Sequence, residues 1–245
     1  MKGEAENVVL LNNVSKIYKT SGQSSTGVNN INFFAKKGEL VLLLGPSGSG
    51  KTTLLTLIAG LLKPSQGKVF LFGKEIESYN EKELQKIRAG KIGFIFQTFL
   101  LIDALTARQN IEIVIRFILK SRKTAKEISD KILKDLSIEH LSEKLPALMS
   151  QGEKQRIAVA RAIANDADLI LADEPTASLE VNQGIEIIKL LHSYAKNRNK
   201  CVIVVSHDLR LKNYADRIIY LEEGSIYAHL SQGYIPLYED EKKIT

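Results

Sequence analysis

The chain has 245 residues, one cysteine, no tryptophan, and 34 basic against 28 acidic side chains, a formal charge of +6. That length allows one large domain or a core carrying a lobe, and Cys201 alone excludes an intramolecular disulfide framework and favours a reducing compartment. No window approaches the roughly 18 consecutive apolar residues of a membrane-spanning helix, and Met1–Asn7, with acids and no apolar core, does not read as a signal peptide. Lys and Arg are scattered among acids throughout, so the excess charge reads as a mixed solvated surface rather than a nucleic-acid patch.

In chain order, Val8–Tyr18 is rich in β-formers, and Thr20–Asn30 reads as a polar loop joining two strands. Glu39–Leu44 is a near-continuous apolar run ending at Gly45, as expected of a strand buried on both faces. A helix is predicted over Lys51–Ala59 with Gly60 as its stop, then a strand over Lys68–Phe72 turned by Gly73-Lys74. Glu81–Ala89 reads as helix and Ile92–Phe96 as strand. From Thr106 to Leu148 strand patterns vanish and Ala107–Leu119 and Ala125–Leu136 take helical apolar spacing, the candidate helical lobe. Alternation then resumes: helix Glu153–Ala164, strand Leu169–Ala172, helix Gln183–Ala195, strand Cys201–Val205. Apolar strands alternating with helices predict a mostly parallel sheet covered by helices, with a frayed tail over 233–245.

Gly45-Pro46-Ser47-Gly48-Ser49-Gly50-Lys51-Thr52 matches G-x-x-x-x-G-K-[ST] between a predicted strand and a predicted helix. Glycines let backbone N–H groups curl around phosphate oxygens, and the helix N-terminus adds partial positive charge. In that pattern Lys51 reaches the β and γ phosphates and the Thr52 hydroxyl ligates Mg²⁺. A chance match is on the order of one in a hundred at ordinary Gly and Lys usage.

Leu169–Ala172 ends in two carboxylates: Asp173, suited to Mg²⁺ with part of its hydration retained, and Glu174, able to polarise an attacking water. Strands ending in Gly45, Gln97, Asp173-Glu174 and Ser206-His207 aim polar groups at one sheet edge, where open α/β folds bind ligands. Ser150-Gln151-Gly152-Glu153 opens a helix with a capping box, which is also an anion site by construction.

Taken in order, these motifs over about residues 8 to 230 resemble the nucleotide-binding subunit of an ATP-binding-cassette (ABC) transporter. GPSGSGKTT (Gly45–Thr53) matches the Walker A loop, Gln97 the Q-loop, LILADE (Leu169–Glu174) the Walker B run, and His207 in VVSHD the switch histidine. Met149–Glu153 stands where the family has LSGGQ, Ser178-Leu179-Glu180 at the D-loop, and Tyr18 where an aromatic stacks on adenine. The insert Ser21–Asn29 and the stretch Phe94–Ile111 look like the lipoprotein-releasing, macrolide-exporter and cell-division branch.

The resemblance implies an α/β P-loop NTPase fold: a RecA-like, mostly parallel core (1–97 and 149–232), an N-terminal antiparallel β subdomain, an inserted helical lobe (about 98–148) and a tail (233–245). It implies a Mg-dependent ATPase at the cytoplasmic face of the inner membrane, powering a separate transmembrane permease. Membrane contact comes only through that permease, and no specific nucleic acid is bound. A head-to-tail homodimer would sandwich ATP between Walker A of one copy and Ser150–Glu153 of the other. Glu174 would orient water, His207 would contact the γ-phosphate, and Gln97, with Thr52 and Asp173, would serve Mg²⁺. The alternative functions are an ATP-dependent clamp with slow hydrolysis and a nucleic-acid ATPase.

Phe99, Leu100 and Leu101 read equally as lobe core or as the lining of a permease groove. Two residues depart from the family pattern. Gln151 replaces the first signature glycine, at a cost of roughly 1 kcal/mol or more, and a slower turnover, if that position needs a left-handed φ or close approach of a phosphate. Glu180 replaces the D-loop aspartate, keeping the charge but adding a methylene.

Overall fold

The structure, a computed structural model, describes residues 7–20 and 23–231. The tail expected over 233–245 lies outside them. Two sheets organise the chain. The smaller is antiparallel, with strands β1 (Asn7–Thr20), β2 (Gln23–Lys36), β4 (Gln66–Leu71) and β5 (Lys74–Glu75) in the order β2-β1-β4-β5. The larger comprises β3 (Leu40–Leu44), β6 (Ile92–Ile95), β7 (Leu169–Asp173), β8 (Cys201–Ser206), β9 (Arg217–Glu222) and β10 (Ser225–Ser231), in the order β10-β9-β3-β8-β7-β6. β10 alone pairs antiparallel; the ladders joining the other five are parallel.

Burial on both faces explains why the central strands carry no polar alternation. Along β3, Val41 and Leu43 enter the apolar cluster shared with the smaller sheet and α1 (Lys51–Ile58). Leu40, Leu42 and Leu44 enter the opposite cluster, against α5 (Gln151–Ile163) and α6 (Val181–Arg198). β8 divides the same way, Ile203 and Val205 to one side, Val202 and Val204 to the other. Truncating any of these to alanine costs about 2–5 kcal/mol.

A third cluster lies away from the sheets. Ala107, Ile111 and Ile115, four residues apart on α3 (Ala107–Leu119), meet Ala125 and Leu133 of α4 (Arg122–Asp135) and Ile157 and Ala160 of α5. Thr106 caps α3 with a capping box closed by Gln109. Asn110, fully buried, accepts from Ile102 N and donates to the carbonyls of Ile102, Leu105 and Thr106, pinning the segment before α3 to the helix.

Two sequence expectations change. The polar stretch expected to loop from Thr20 to Asn30 is strand from Gln23 onward, paired along β1 with Thr26 opposite Ile17. A two-stranded ribbon is held by backbone hydrogen bonds and needs no apolar side chains at its end. Register shifts between Val14 and Ile17 also break the alternation that would have revealed it. The hairpin β9–β10 was not foreseen, although Glu223-Gly224 (φ 46° and 79°) between apolar runs is a two-residue hairpin turn.

Candidate functional site

Parallel pairing of β3, β8, β7 and β6 sends their C-terminal ends to one edge. There a cleft of about 550 Å³ is lined by Gly27, Ser47, Gly48, Gly50, Lys51, Thr52, Thr53, Gln97, Asp173, Glu174 and His207. Gly50 is the N-cap of α1 with φ 99°, and a Cβ there would stand 2.2 Å from the Gly27 carbonyl oxygen, so only glycine fits. No side chain caps α1, which leaves its first-turn N–H groups available to an anion.

Lys51 is buried and donates to the carbonyls of Gly45 (2.8 Å) and Pro46 (2.7 Å), folding back along its own loop. Burial lowers its pKa, opposed by the neighbouring Glu174 and Asp173 carboxylates. Thr52 Oγ1 donates to Asp173, 3.0 Å from Oδ2, so the hydroxyl and carboxylate already face each other across the cleft. Burial raises the Asp173 pKa; the Thr52 hydrogen bond opposes this, the Glu174 charge adds to it, and Lys51 pulls it down. Oxygen donors of this kind suit a hard divalent cation, and Mg²⁺ sites draw their remaining ligands from phosphates and water rather than a full protein cage.

Glu174 has a left-handed φ of 48°, its N–H donates to Val205 O at 3.0 Å, and its Oε1 stands 3.0 Å from His207 Nδ1. A non-glycine residue held there stores about 1–3 kcal/mol, a cost met where a side chain must point one way. Gln97 is exposed in the turn after β6 and lines the same cleft. Tyr18 is not among the lining residues; its hydroxyl is 3.3 Å from Thr53 Oγ1, which places the ring at the margin. Gly45, Pro46 and Ser49 form the loop behind the lining surface.

Ser150, Gln151, Gly152 and Glu153 lie outside the cleft of their own chain. Ser150 caps α5: its Oγ accepts from Glu153 N (3.2 Å) and its N–H donates to Glu153 Oε2 (2.7 Å), while Lys144 Nζ lies 3.2 Å from Glu153 Oε1. Those hydrogen bonds hold the Glu153 carboxyl below its ordinary pKa, the Ser150 backbone bond contributing most. Gln151 occupies the first helical turn without a positive φ, so the feared backbone penalty does not arise. A Cβ at Gly152 would meet only the end of the Gln183 side chain, at 2.8 Å. Glu180 is the N-cap of α6 and makes no side-chain cap bond, because its extra methylene carries the carboxylate past the first-turn N–H groups.

The ambiguity over Phe99–Leu101 divides by residue. Leu101 packs on the lobe cluster, whereas Leu100, 54% exposed, lines a groove of about 390 Å³ with Phe96, Ile102 and Ile113. Three contributors have no site role legible in the sequence, although Gln155 lies in the Lys154-Gln155-Arg156 run that usually follows the family signature. Gly27 backs the cleft from a polar stretch that reads as loop, so nothing in the sequence sets it apart. Gln155 and Arg161, both on α5, reach backbone carbonyls at Pro175 and at Phe99 and Leu100. Arg161 as a single cation inside the apolar run Ile157–Ile163 was the available signal.

Residues 28–177 match the family model described as ABC transporter. Over 223 residues the chain is 39% identical to an uncharacterized ABC transporter ATP-binding protein, MJ0796, of Methanocaldococcus jannaschii, covering 89% of this chain and 95% of that one. It is 38% identical over 204 residues to the lipoprotein-releasing system ATP-binding protein LolD 1 of Chlorobium chlorochromatii, covering 82% of each. The macrolide export ATP-binding/permease protein MacB of Haemophilus ducreyi is 33% identical over 97% of this chain, which spans 34% of that larger protein. A solved dimeric structure of the MJ0796 cassette in a post-hydrolysis state, bound to ADP and Pi, superposes with a TM-score of 0.85 at 37% identity, covering 93% of this chain and all of that one. A family model over residues 28–177 and relatives covered along nearly their whole length agree, and the chain belongs to the ABC transporter ATPases.

Proposed function

We propose that this protein is the ATP-binding and ATP-hydrolysing subunit of an ABC transporter, working as a head-to-tail homodimer on a separate transmembrane permease. The observation that carries the reading is the convergence of Lys51, Thr52, Gln97, Asp173, Glu174 and His207 on one cleft from four strand ends. Residues 1–232 then form one cassette, with about 98–148 as its helical lobe.

In the proposed reaction the loop N–H groups and the α1 N-terminus bind the triphosphate, and Lys51 exchanges its loop carbonyls for phosphate oxygens. Thr52 and Asp173, with Gln97, would hold Mg²⁺, which supplies charge neutralisation at the phosphates. Glu174 is fixed by its backbone bond and by His207, so one carboxylate oxygen can accept a hydrogen bond from a water aligned for attack. His207, with an exposed ring, can leave Glu174 to meet the γ-phosphate. Tyr18 offers its ring to the base.

Ser150 and Gly152, remote from their own cleft, serve the cleft of a second copy: the capped α5 N-terminus presents partial positive charge, and the Ser150 hydroxyl keeps its proton to donate. This agrees with the dimeric state of the MJ0796 cassette. Relatives named for lipoprotein release and macrolide export support a permease as the second partner. No helix among the described residues is long and apolar enough to cross a membrane. The place proposed for the subunit is the cytoplasmic face of the membrane, held there through the permease.

The test is Mg-dependent hydrolysis by the purified protein. Glu174→Gln should lower the turnover at least about 100-fold while ATP drives the variant into a dimer on size-exclusion chromatography. Unchanged turnover in that variant would refute the assignment.

A further inference from the structure

Phe99 and Leu100 are consecutive non-glycine residues with left-handed φ, 60° and 47°. Each has a Cβ that this conformation crowds against its own carbonyl, and a pair of them does not persist without restraint. Their amides are tied locally, Phe99 N to Phe96 O at 3.1 Å and Leu100 N to Thr98 O at 2.6 Å. Their carbonyls turn together towards α5, where Arg161 donates from Nη2 to Phe99 O (2.7 Å) and from Nη1 to Leu100 O (2.5 Å). Among the described residues Arg161 has no carboxylate partner, and burial alone lowers its pKa. A half-buried guanidinium with no acid beside it is poor stabilisation if packing is the purpose. Two donors in a planar fork, spaced to take two adjacent carbonyls, are what a backbone restraint requires.

The restrained turn joins two surfaces. Gln97, two residues before Phe99, lines the nucleotide cleft; Leu100 and Arg161 line the groove beside Ile102 and Ile113. Ser150 lies about three turns back along the helix that carries Arg161. A buried side chain of the same helix, Gln155, donates from Nε2 to Pro175 O at 2.6 Å in the turn just after Glu174.

We propose that Arg161 is a positioning residue for hydrolysis: by holding the left-handed Phe99–Leu100 turn it sets Gln97 at the nucleotide cleft, and it makes α5 the rigid link between that cleft, the Leu100 groove and the Ser150 end. The inference rests on the ATPase reading above. An occupant of the groove that displaces Leu100 acts first on the Arg161 bonds and through them on Gln97.

The experiment uses the full chain with Arg161→Lys, Arg161→Met, and Arg161→Met combined with Phe99→Gly and Leu100→Gly. Arg161→Met should lower kcat at least tenfold and raise the Mg²⁺ concentration for half-maximal rate severalfold, with Mg-free binding of a fluorescent ATP analogue kept within twofold. Arg161→Lys keeps charge but not the fork, so it should restore thermal stability without restoring kcat. The two glycines adopt the turn unaided and should recover part of the lost kcat. Hydrogen exchange over 96–101 should rise at least tenfold in both Arg161→Lys and Arg161→Met, and this readout holds whether or not the protein hydrolyses ATP. An inactive wild type with fast exchange in the variants would count against the ATPase reading and leave the restraint standing. Unchanged exchange, or full recovery of kcat by Arg161→Lys, would overturn the restraint itself; if Arg161→Met fails to fold, the lysine variant decides alone.

Discussion

Glu153 shows how a single side chain fixes a helix end that the proposed function also uses. Its carboxylate closes the cap of α5 and its pKa lies below the ordinary value. A carboxylate with a depressed folded-state pKa stabilises the protein above the unfolded value, near 4.3, and that contribution is lost as pH falls through the lower folded value. Glu153→Gln keeps an acceptor for Ser150 N but does not titrate. The difference in Tm between wild type and this variant should therefore shrink as pH is taken from 7 towards 3; a constant difference would mean that the carboxylate charge plays no part. Glu180 is the opposite case, an N-cap whose side chain misses the helix. Glu180→Asp should add about 0.5–1 kcal/mol, a rise in Tm of about 1–4 °C by thermal melting. Gln151 is less of a defect than its place in a glycine-rich signature suggested, since the backbone there is ordinary helix.

At the scale of elements, α5 separates the requirements of folding from those of catalysis. Gly152 has helical backbone, and only the flexible end of Gln183 opposes an added Cβ. Gly152→Ala should change stability by less than about 1 kcal/mol in either direction, yet slow hydrolysis by crowding the surface offered to the partner's nucleotide. Equal turnover with wild type would remove that surface from the proposed interface. The segment before α3 depends instead on one buried amide. Asn110→Leu removes both its acceptor and its donors, stranding Ile102 N and several carbonyls, and should cost about 2–3 kcal/mol in denaturant unfolding. Helices and central strands were legible because burial imposes periodicity: Ala107, Ile111 and Ile115 mark the inward stripe of α3, and the unbroken β3 run marks two buried faces. The far half of β2 was not, because backbone pairing with β1 leaves no mark on polar side chains.

For the whole molecule, ligand binding should appear as stability. At a concentration 100 times its Kd a nucleotide contributes about 2.7 kcal/mol, a rise of roughly 5–10 °C in Tm for a chain of this size. Mg-ATP should exceed ATP alone, because a cation between Thr52 and Asp173 relieves the cost of the buried carboxylate. A melting series with and without Mg²⁺ checks this, and equal shifts would place the metal elsewhere. The sequence by itself determined the chemistry: Gly45–Thr52 can be little but a phosphate loop, and Asp173-Glu174 and His207 follow strands whose apolar runs declare a parallel sheet. Those are local properties, written in residue type and spacing. The tertiary structure alone decided which residues meet. It set Thr52 against Asp173, folded Lys51 onto its own loop, kept Ser150–Glu153 away from their own cleft, and bound Arg161 to a left-handed turn about sixty residues earlier. Contacts between distant segments arise from how sheets and helices pack, and no spacing along the chain encodes them.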